Sequence, residues 1–280
     1  MPGLPVDKLG TRSDEVRAPI DPDRAKQYAA ATNDDNPAYA DGTYAPPVFG
    51  VVPTWDAIGR AVGEVVPPEQ LMMVVHGEQD MHFHQPLIPG RELVTVAEAH
   101  SIRVGTSGTR FTTHVTSNDA ETGEPVLEQF VTMFIRGLSE GESAGPDKPD
   151  HTFDAGGGAT PVGDFTVHVD ADQTYRYHEA SGDPMPIHLD DAFAKSVGLP
   201  GIIAHGLCTM AMTSQAVVKT VAGGDPGRIK RLAVRFSKNV FPGDDVTTTI
   251  ADLGDGRYGF EATTNRGVTV ISNGLAEVAN

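Results

Sequence analysis

One short stretch of the sequence, SGDPMPIH at residues 181–188, brings together groups that could carry out acid–base chemistry. Asp183 supplies a carboxylate and His188 an imidazole, with Pro184 and Pro186 between them. Proline fixes φ at about −65° and biases the preceding residue away from helix, so we expect a stiff extended turn. A rigid turn can hold two side chains so that one takes a proton from water while the other delivers one.

The segment that carries this turn occurs twice in the chain. Residues 20–39 (IDPDRAKQYAAATNDDNPAY) align without a gap on residues 169–188 (VDADQTYRYHEASGDPMPIH). The carboxylate is matched by Asp34, whereas the imidazole is matched only by Tyr39. Because tyrosine has a pKa of about 10, it is a poor proton shuttle at neutral pH. The sequence therefore predicts a duplicated chain that keeps its acid–base pair in the second copy alone.

A backbone N–H group is the third candidate for chemistry. Residues 199–223 (LPGIIAHGLCTMAMTSQAVVKTVAG) have apolar side chains at three- and four-residue steps, which predicts a helix that begins near Gly206. The first N–H groups of a helix lack an internal acceptor and lie at its positive end, where they suit a developing oxyanion. We expect His205 to be a supporting histidine and not the base. Cys208 is expected in the core, since free cysteine is among the most buried residue types.

Other patterns that bind metals or cofactors are missing from the sequence. His82 and His84 alternate as on a strand, without a carboxylate or cysteine at metal-ligand spacing, and are interpreted as pocket-lining or surface residues. The sequence has no Gly-x-Ser-x-Gly elbow and no glycine-rich nucleotide loop. We therefore expect no metal, nicotinamide or flavin.

Composition limits the class of protein. The 280 residues are 39% hydrophobic and 21% charged, which is typical of a soluble globular protein. No apolar run approaches the roughly 18 residues of a membrane helix, and the N-terminal segment is unlike a signal peptide. A single cysteine excludes an internal disulfide, so we expect a cytoplasmic protein.

The net charge of −17 argues against nucleic acid or anionic membranes as partners. A basic run is the local exception, with five cations and no acid among them: Arg228, Lys230, Arg231, Arg235 and Lys238. It is a candidate site for a polyanionic ligand such as a phosphorylated cofactor or carrier. The alternative is an edge strand, whose basic side chains block further strand pairing.

The order of features divides the chain into two similar halves. Residues 138–163, rich in Gly, Ser, Pro and Asp, predict a linker between an N-terminal half, 1–137, and a C-terminal half, 164–280. Each half has a Pro/Gly turn that leads into an apolar helix, within residues 45–63 and 199–223, and then Val/Thr-rich segments that predict antiparallel strands. A helix so apolar must be wrapped by its sheet, which predicts an α+β fold.

These features together resemble the double hotdog fold. The run YHEASGDPMPIHLDDAFAKSVGLPGIIAHGLC resembles the signature of the MaoC-like family of (R)-specific enoyl-CoA hydratases, the hydratase 2 group, and the match continues in HGEQDMHFHQPLIPG and RLAVRFSKNVFPGDDV. The resemblance implies hydration of 2-enoyl-CoA thioesters, or the reverse dehydration of (3R)-hydroxyacyl thioesters, in fatty acid metabolism. It also implies a homodimer that acts on CoA or carrier-protein thioesters without a cofactor.

The family resemblance assigns roles to particular residues. Asp183 and His188 would hold the water that adds across the double bond, and the Gly206 N–H would bind the thioester oxygen. We expect four further residues to contact substrate: Met185, His205, Arg235 and Lys238. The first half, having lost its chemistry, is expected to open a tunnel for the acyl chain, unless its candidates only pack the first helix: Val48, Phe49, Val51, Val52, Trp55 and Ile58.

Met185 departs from the family pattern, which usually has Asn after Gly-Asp-x. Methionine makes no useful hydrogen bond, so either the water site is weakened or the pocket is reshaped for a bulkier acyl group. Two other functions stay open. One is a non-catalytic acyl-thioester-binding subunit, and the other is a hotdog thioesterase.

Overall fold

The computed structural model describes residues 2–153 and 159–279. Its strands are β1 (Val16–Pro19), β2 (Val74–Phe83), β3 (Glu92–Gly105), β4 (Gly108–Asp119), β5 (Pro125–Arg136), β6 (Thr160–His168), β7 (Ile229–Phe236), β8 (Asp245–Gly254), β9 (Arg257–Thr264) and β10 (Thr269–Val278). Its α-helices are α1 (Pro22–Ala31), α2 (Pro37–Ala40), α3 (Trp55–Val65), α4 (Gln173–Ser181), α5 (Asp191–Ser196) and α6 (Gly206–Thr220). Within these residues, no helix is long and apolar enough to cross a membrane.

The strands form one antiparallel sheet in the order β1-β3-β4-β5-β2-β7-β10-β9-β8-β6. All five strands of the first half lie on one side and all five of the second half on the other. The halves meet where β2 pairs with β7, for example Gln79 with Val234. The Val/Thr-rich segments predicted as antiparallel strands are confirmed: they form β3, β4 and β5 in the first half and β8, β9 and β10 in the second.

The alternative interpretation of the basic run as an edge strand is wrong, because β7 lies at the centre of the sheet. Arg231 is buried and donates two hydrogen bonds to the Asp80 carboxylate on β2, at 3.0 and 2.8 Å. Its side chain also donates to the carbonyl of Asp150. A central strand can carry this arginine because its charge is compensated across the seam between the halves.

The two long apolar segments pack on the same face of the sheet. Helix α6 begins at Gly206, as predicted, and its residues 207–218 are buried. The first segment divides into a 3₁₀ helix, Pro47–Thr54, and then α3. Pro53 lies inside the 3₁₀ helix and has no N–H to donate, which prevents one continuous α-helix. Apolar residues from both halves form one core cluster.

The repeated segments contact each other directly through α1 and α4. The hydroxyl groups of Tyr28 and Tyr177, which align in the sequence, are hydrogen-bonded at 3.0 Å, and both rings are fully buried. Arg24 and Gln173, which also align, each donate a side-chain hydrogen bond to the carbonyl of the matching alanine near the end of the other helix. The two copies are therefore related by a local twofold arrangement.

The predicted linker, residues 138–163, is bound to the sheet where the structure describes it. Arg103 donates to the Ala144 and Pro146 carbonyls, and the ring of His151 donates to the Asn273 carbonyl. Strand β6 already begins at Thr160, inside the predicted linker. Residues 154–158 of this segment lie outside the described residues.

We expect the seam between the halves to depend on the buried ion pair. Arg231→Met should lower the free energy of unfolding by about 3 kcal/mol, because it leaves the Asp80 carboxylate buried without its main partner. As a matched control, Arg12→Met removes an exposed ion pair with Glu98 and should cost less than about 1 kcal/mol. Urea unfolding of both variants measures the difference, and equal losses would contradict the assignment.

Candidate active site

The turn with the acid–base pair is fixed by its own backbone contacts. Helix α4 ends at Gly182, whose positive φ of 77° lets the chain leave the helix without a side-chain clash. The Asp183 carboxylate accepts the Met185 N–H at 3.1 Å, and the ring of His178 donates to the Asp183 carbonyl at 2.7 Å. The chain is extended at Met185, as predicted, and then forms a single 3₁₀ turn, Pro186–His188.

His188 is held in the form of a neutral acceptor. Its Nδ1 donates to the carbonyl of Ile203 at 2.8 Å, which leaves Nε2 with a free lone pair when the ring is neutral. Burial lowers the pKa of His188, and this effect outweighs the Ile203 carbonyl and the Asp183 charge, which both act to raise it. At neutral pH, Nε2 can therefore accept a proton.

His205 forms one wall of the site. Its ring stacks on that of His188, with 3.8 Å between centroids and 29° between planes, and Tyr177 lies at 4.8 Å from it. Neither ring nitrogen has a hydrogen-bond partner within the described residues. Burial, reinforced by the charge of His188, lowers the pKa of His205 to about 2. His205 thus stays neutral and supports the His188 ring by packing against it.

Asp183, His188 and His205 lie close enough together to be considered as metal ligands. Donor atoms of Asp183, His188 and His205 all lie within 4.8 Å of one another. The direction of the donors does not fit, because lone pairs of stacked imidazoles lie in nearly parallel planes and do not converge on an ion at about 2.0 Å. The arrangement suits a water molecule between carboxylate and imidazole better than an ion.

These residues open into a cavity of about 580 Å³ that receives side chains from both halves. The second half contributes the Asp183–His188 turn and the start of α6, including Asp183, His188 and Gly206. The first half contributes apolar residues and one histidine: Trp55, Leu71, Val74, Val75, His76 and Met133. The candidate site therefore spans the seam between β2 and β7.

Gly206 lies at the N-terminus of α6, where its backbone borders the cavity. A Cβ atom at this position would lie 3.3 Å from the ring of Phe236, so a larger residue would crowd the wall. The N–H groups in the first turn of α6 have no acceptor inside the helix. They can therefore stabilise negative charge on an oxygen bound in the cavity.

Two family models match the chain. The MaoC-like domain model matches residues 156–273, and the MFE-2 hydratase 2 N-terminal domain model matches residues 38–137. The chain belongs to the MaoC-like hydratase family. The prediction of an α+β double hotdog fold is also confirmed.

Relatives of this MaoC-like chain include a probable enoyl-CoA hydratase 2 of Dictyostelium discoideum, 28% identical over 242 residues that cover 85% of this chain and 81% of the relative. A 3-hydroxyacyl-thioester dehydratase Y of Mycobacterium tuberculosis is 33% identical over 196 residues, or 67% of this chain and 64% of the relative. The crystal structure of a MaoC-like dehydratase from Phytophthora capsici superposes with a TM-score of 0.87 at 26% identity, and each chain is covered to 99%. Several other relatives carry the word peroxisomal in their names.

The structure separates two residues that the sequence placed in one basic site of this MaoC-like chain. Lys238 lines the cavity of the catalytic turn. Arg235 lines a different cavity, of about 520 Å³, together with Glu78 and Lys148. Because side chains alternate along a strand, Arg235 and the cavity-lining Phe236 point to opposite faces of β7. The basic run therefore does not form a single polyanion site.

The first-half tunnel predicted for the MaoC-like chain is only partly supported. Trp55 lines the cavity, whereas the other five candidates are buried in the core: Val48, Phe49, Val51, Val52 and Ile58. The cavity wall comes instead from residues near β2 and β5, which the sequence interpretation missed. Val74, Val75 and His76 are consecutive on β2 and all line the cavity, so the alternation expected of a strand could not have identified them.

His82 and His84, interpreted from the sequence as pocket-lining or surface residues, are half-buried and exposed, respectively, and each has one carboxylate neighbour. His82 Nε2 lies 3.2 Å from Asp80, and His84 Nε2 lies 3.6 Å from Glu128. Both carboxylates are close in the sequence or on a neighbouring strand, and pairing of β2 with β5 brings Glu128 near. Within residues 2–153 and 159–279, these histidines are not part of a three-ligand cluster.

The matching turn of the first half lacks an acid–base pair. Burial raises the pKa of Asp34 and also that of Tyr39. The Tyr39 hydroxyl is buried without a hydrogen-bond partner among the described residues. Neither residue lines the cavity of about 580 Å³. The two copies have therefore kept one turn geometry and separated in chemistry.

Cys208 is buried in the core, as predicted.

The lowered pKa of His188 gives a test that does not depend on activity. The His188 imidazole should titrate below the ordinary histidine value of about 6.5, because burial disfavours its charged form. NMR titration of ring-labelled histidines measures this, and the resonance is assigned by its loss in His188→Gln. A midpoint for His188 at or above 6.5 would contradict the neutral-acceptor assignment.

Proposed function

We propose that this protein hydrates 2-enoyl-CoA thioesters to (3R)-hydroxyacyl thioesters, or catalyses the reverse dehydration, with Asp183 and His188 activating the water. The observation that carries the proposal is the meeting of three groups at one cavity: a carboxylate, an imidazole with a free Nε2, and the first N–H of α6. The relatives named enoyl-CoA hydratase 2 and 3-hydroxyacyl-thioester dehydratase support the same reaction class.

Each step of hydration has a group to carry it. Asp183 and His188 hold the water, and its oxygen bonds to C3 of the enoyl group while the neutral Nε2 of His188 takes one of its protons. The imidazolium then gives this proton to C2 on the same face, so one water is added and both side chains return to their starting protonation states. Negative charge on the thioester oxygen is stabilised by the N–H of Gly206, a contact type worth about 100- to 1000-fold in rate. The proposed reaction uses no cofactor.

The walls of the cavity support an acyl thioester as the ligand. Apolar side chains such as Trp55, Val74 and Met133 can pack against an acyl group, and the volume of about 580 Å³ is ordinary for a small-molecule site. Lys238 is an exposed cation on the same wall, suited to an anionic group of the substrate outside the pocket. We propose a CoA thioester as substrate, and a homodimer in the cytoplasm as the working state.

One assay separates hydration from the two other functions. With crotonyl-CoA, a hydratase removes the enoyl absorbance and forms the hydroxyacyl thioester without releasing thiol. A thioesterase releases free thiol. A non-catalytic binding subunit binds the thioester and leaves it unchanged. Either of these last two results would reject the proposed reaction.

We expect the catalytic pair to be active in one copy only. Asp183→Asn and His188→Gln should each lower kcat about 100-fold or more, the scale of general acid–base catalysis. The matched variants Asp34→Asn and Tyr39→Phe should change kcat by less than about threefold, since neither side chain lines the cavity. Inactivation by Tyr39→Phe as complete as that by His188→Gln would refute the one-site assignment.

Lys238 and Arg235 line different cavities, so one variant can test the proposed CoA contact and the other can serve as its control. Lys238→Ala should raise KM for crotonyl-CoA more than it lowers kcat, since a contact remote from the reacting carbons contributes uniform binding. The rise should shrink with a pantetheine thioester, which lacks the nucleotide phosphates. Arg235→Ala, on the other cavity, should leave KM within about twofold. A larger effect from Arg235→Ala would show that the nucleotide reaches that cavity.

A further inference from the structure

The internal repeat offers a direct comparison for Met185, because Asn36 stands at the matching position of the first copy. Asn36 is 5% exposed. Its side-chain oxygen accepts the N–H of Ala38 at 3.0 Å and caps the short helix α2, and its amide nitrogen donates to the carbonyl of Gly224 at 2.8 Å. In the first copy this position is thus a buried structural cap.

The second copy has the same backbone at this position but a different side-chain environment. Asp34 accepts the N–H of Asn36 at 3.2 Å, and Asp183 accepts the N–H of Met185 at 3.1 Å, so both turns carry the same local bond. Met185 precedes the 3₁₀ turn Pro186–His188 and provides no side-chain cap. It is instead 37% exposed and lines the catalytic cavity.

Replacing the capping Asn of the first copy with Met185 in the second changes the cavity wall that a ligand would contact, and leaves the groups proposed to hold the water in place. Since the turn keeps its geometry without an amide at 185, the catalytic groups do not need one for their position. A large apolar side chain exposed at a cavity wall is a contact surface for an apolar ligand. A thioether is also flexible enough to pack against groups of irregular shape.

We propose that Met185 is a specificity-determining residue that selects 2-enoyl thioesters with apolar acyl groups bulkier than crotonyl. This inference rests on the proposed function and deepens it. Met185 lies two residues from Asp183, and both line the same cavity. An amide there would face the acyl group and lose apolar contact, whereas the matching Asn36 faces protein on all sides.

The test is a reciprocal exchange of the two matched residues. The specificity ratio is kcat/KM for a bulkier substrate, 4-methyl-2-pentenoyl-CoA or 2-octenoyl-CoA, divided by kcat/KM for crotonyl-CoA. Met185→Asn should lower this ratio about tenfold, which is the effect of about one lost methylene contact. The change should lie mainly in KM. Met185→Leu should keep the ratio within about threefold, since it retains an apolar wall. Asn36→Met should lower Tm by several degrees, through loss of a buried cap, and leave the ratio unchanged.

The possible outcomes separate the inference from the proposed reaction. No hydration of any enoyl-CoA by the unchanged protein would reject the reaction itself. Hydration with the same ratio in Met185→Asn as in the unchanged protein would reject the role of Met185 and keep the reaction. A faster Met185→Asn enzyme on all three substrates would show that the amide serves the water site, which would also overturn the inference.

Discussion

The structure depends on covering α6, a helix that is buried on every side. Residues 207–218 are inaccessible in one continuous run, so a sheet on one face of the helix cannot satisfy it. Strands β6, β7, β8 and β10 cover part of α6, and the 3₁₀ segment Pro47–Thr54 of the first half covers another part. The second half therefore could not bury its own central helix alone, and the two halves form one hydrophobic core.

This shared core also determines where the chemistry can take place. The N-terminus of α6 lies against the seam, so the Asp183–His188 turn of the second half faces side chains of β2 and β5 from the first. The carboxylate and the imidazole of the candidate site come from one copy, and much of the apolar wall comes from the other. The first half, which has Tyr39 where the second has His188, thus still shapes the site because its strands form part of the cavity wall.

The turn tolerates different side chains in the two copies because its backbone contacts are the same in both. Both turns have an aspartate that accepts the N–H two residues ahead. Around this shared bond, one copy buries Asn36 and Tyr39 as structural residues, and the other places Met185 and His188 on a cavity. The difference lies in what packs against each turn: Gly224 follows α6 at the first, and Ile203 precedes α6 at the second.

The sequence by itself determined the features that depend on neighbouring residues. The Asp183–His188 turn, the start of α6 at Gly206 and six of the strands follow from proline stiffness, apolar periodicity and β-rich segments, all local effects. Tertiary structure decided what depends on pairing between distant segments. The partner strands of β7 place it at the centre of the sheet, bury Arg231 against Asp80 and send Arg235 and Lys238 to different cavities. Alternation on a strand is visible in a sequence, but which face meets the cavity is set by the strand across the seam, and no local pattern specifies that partner.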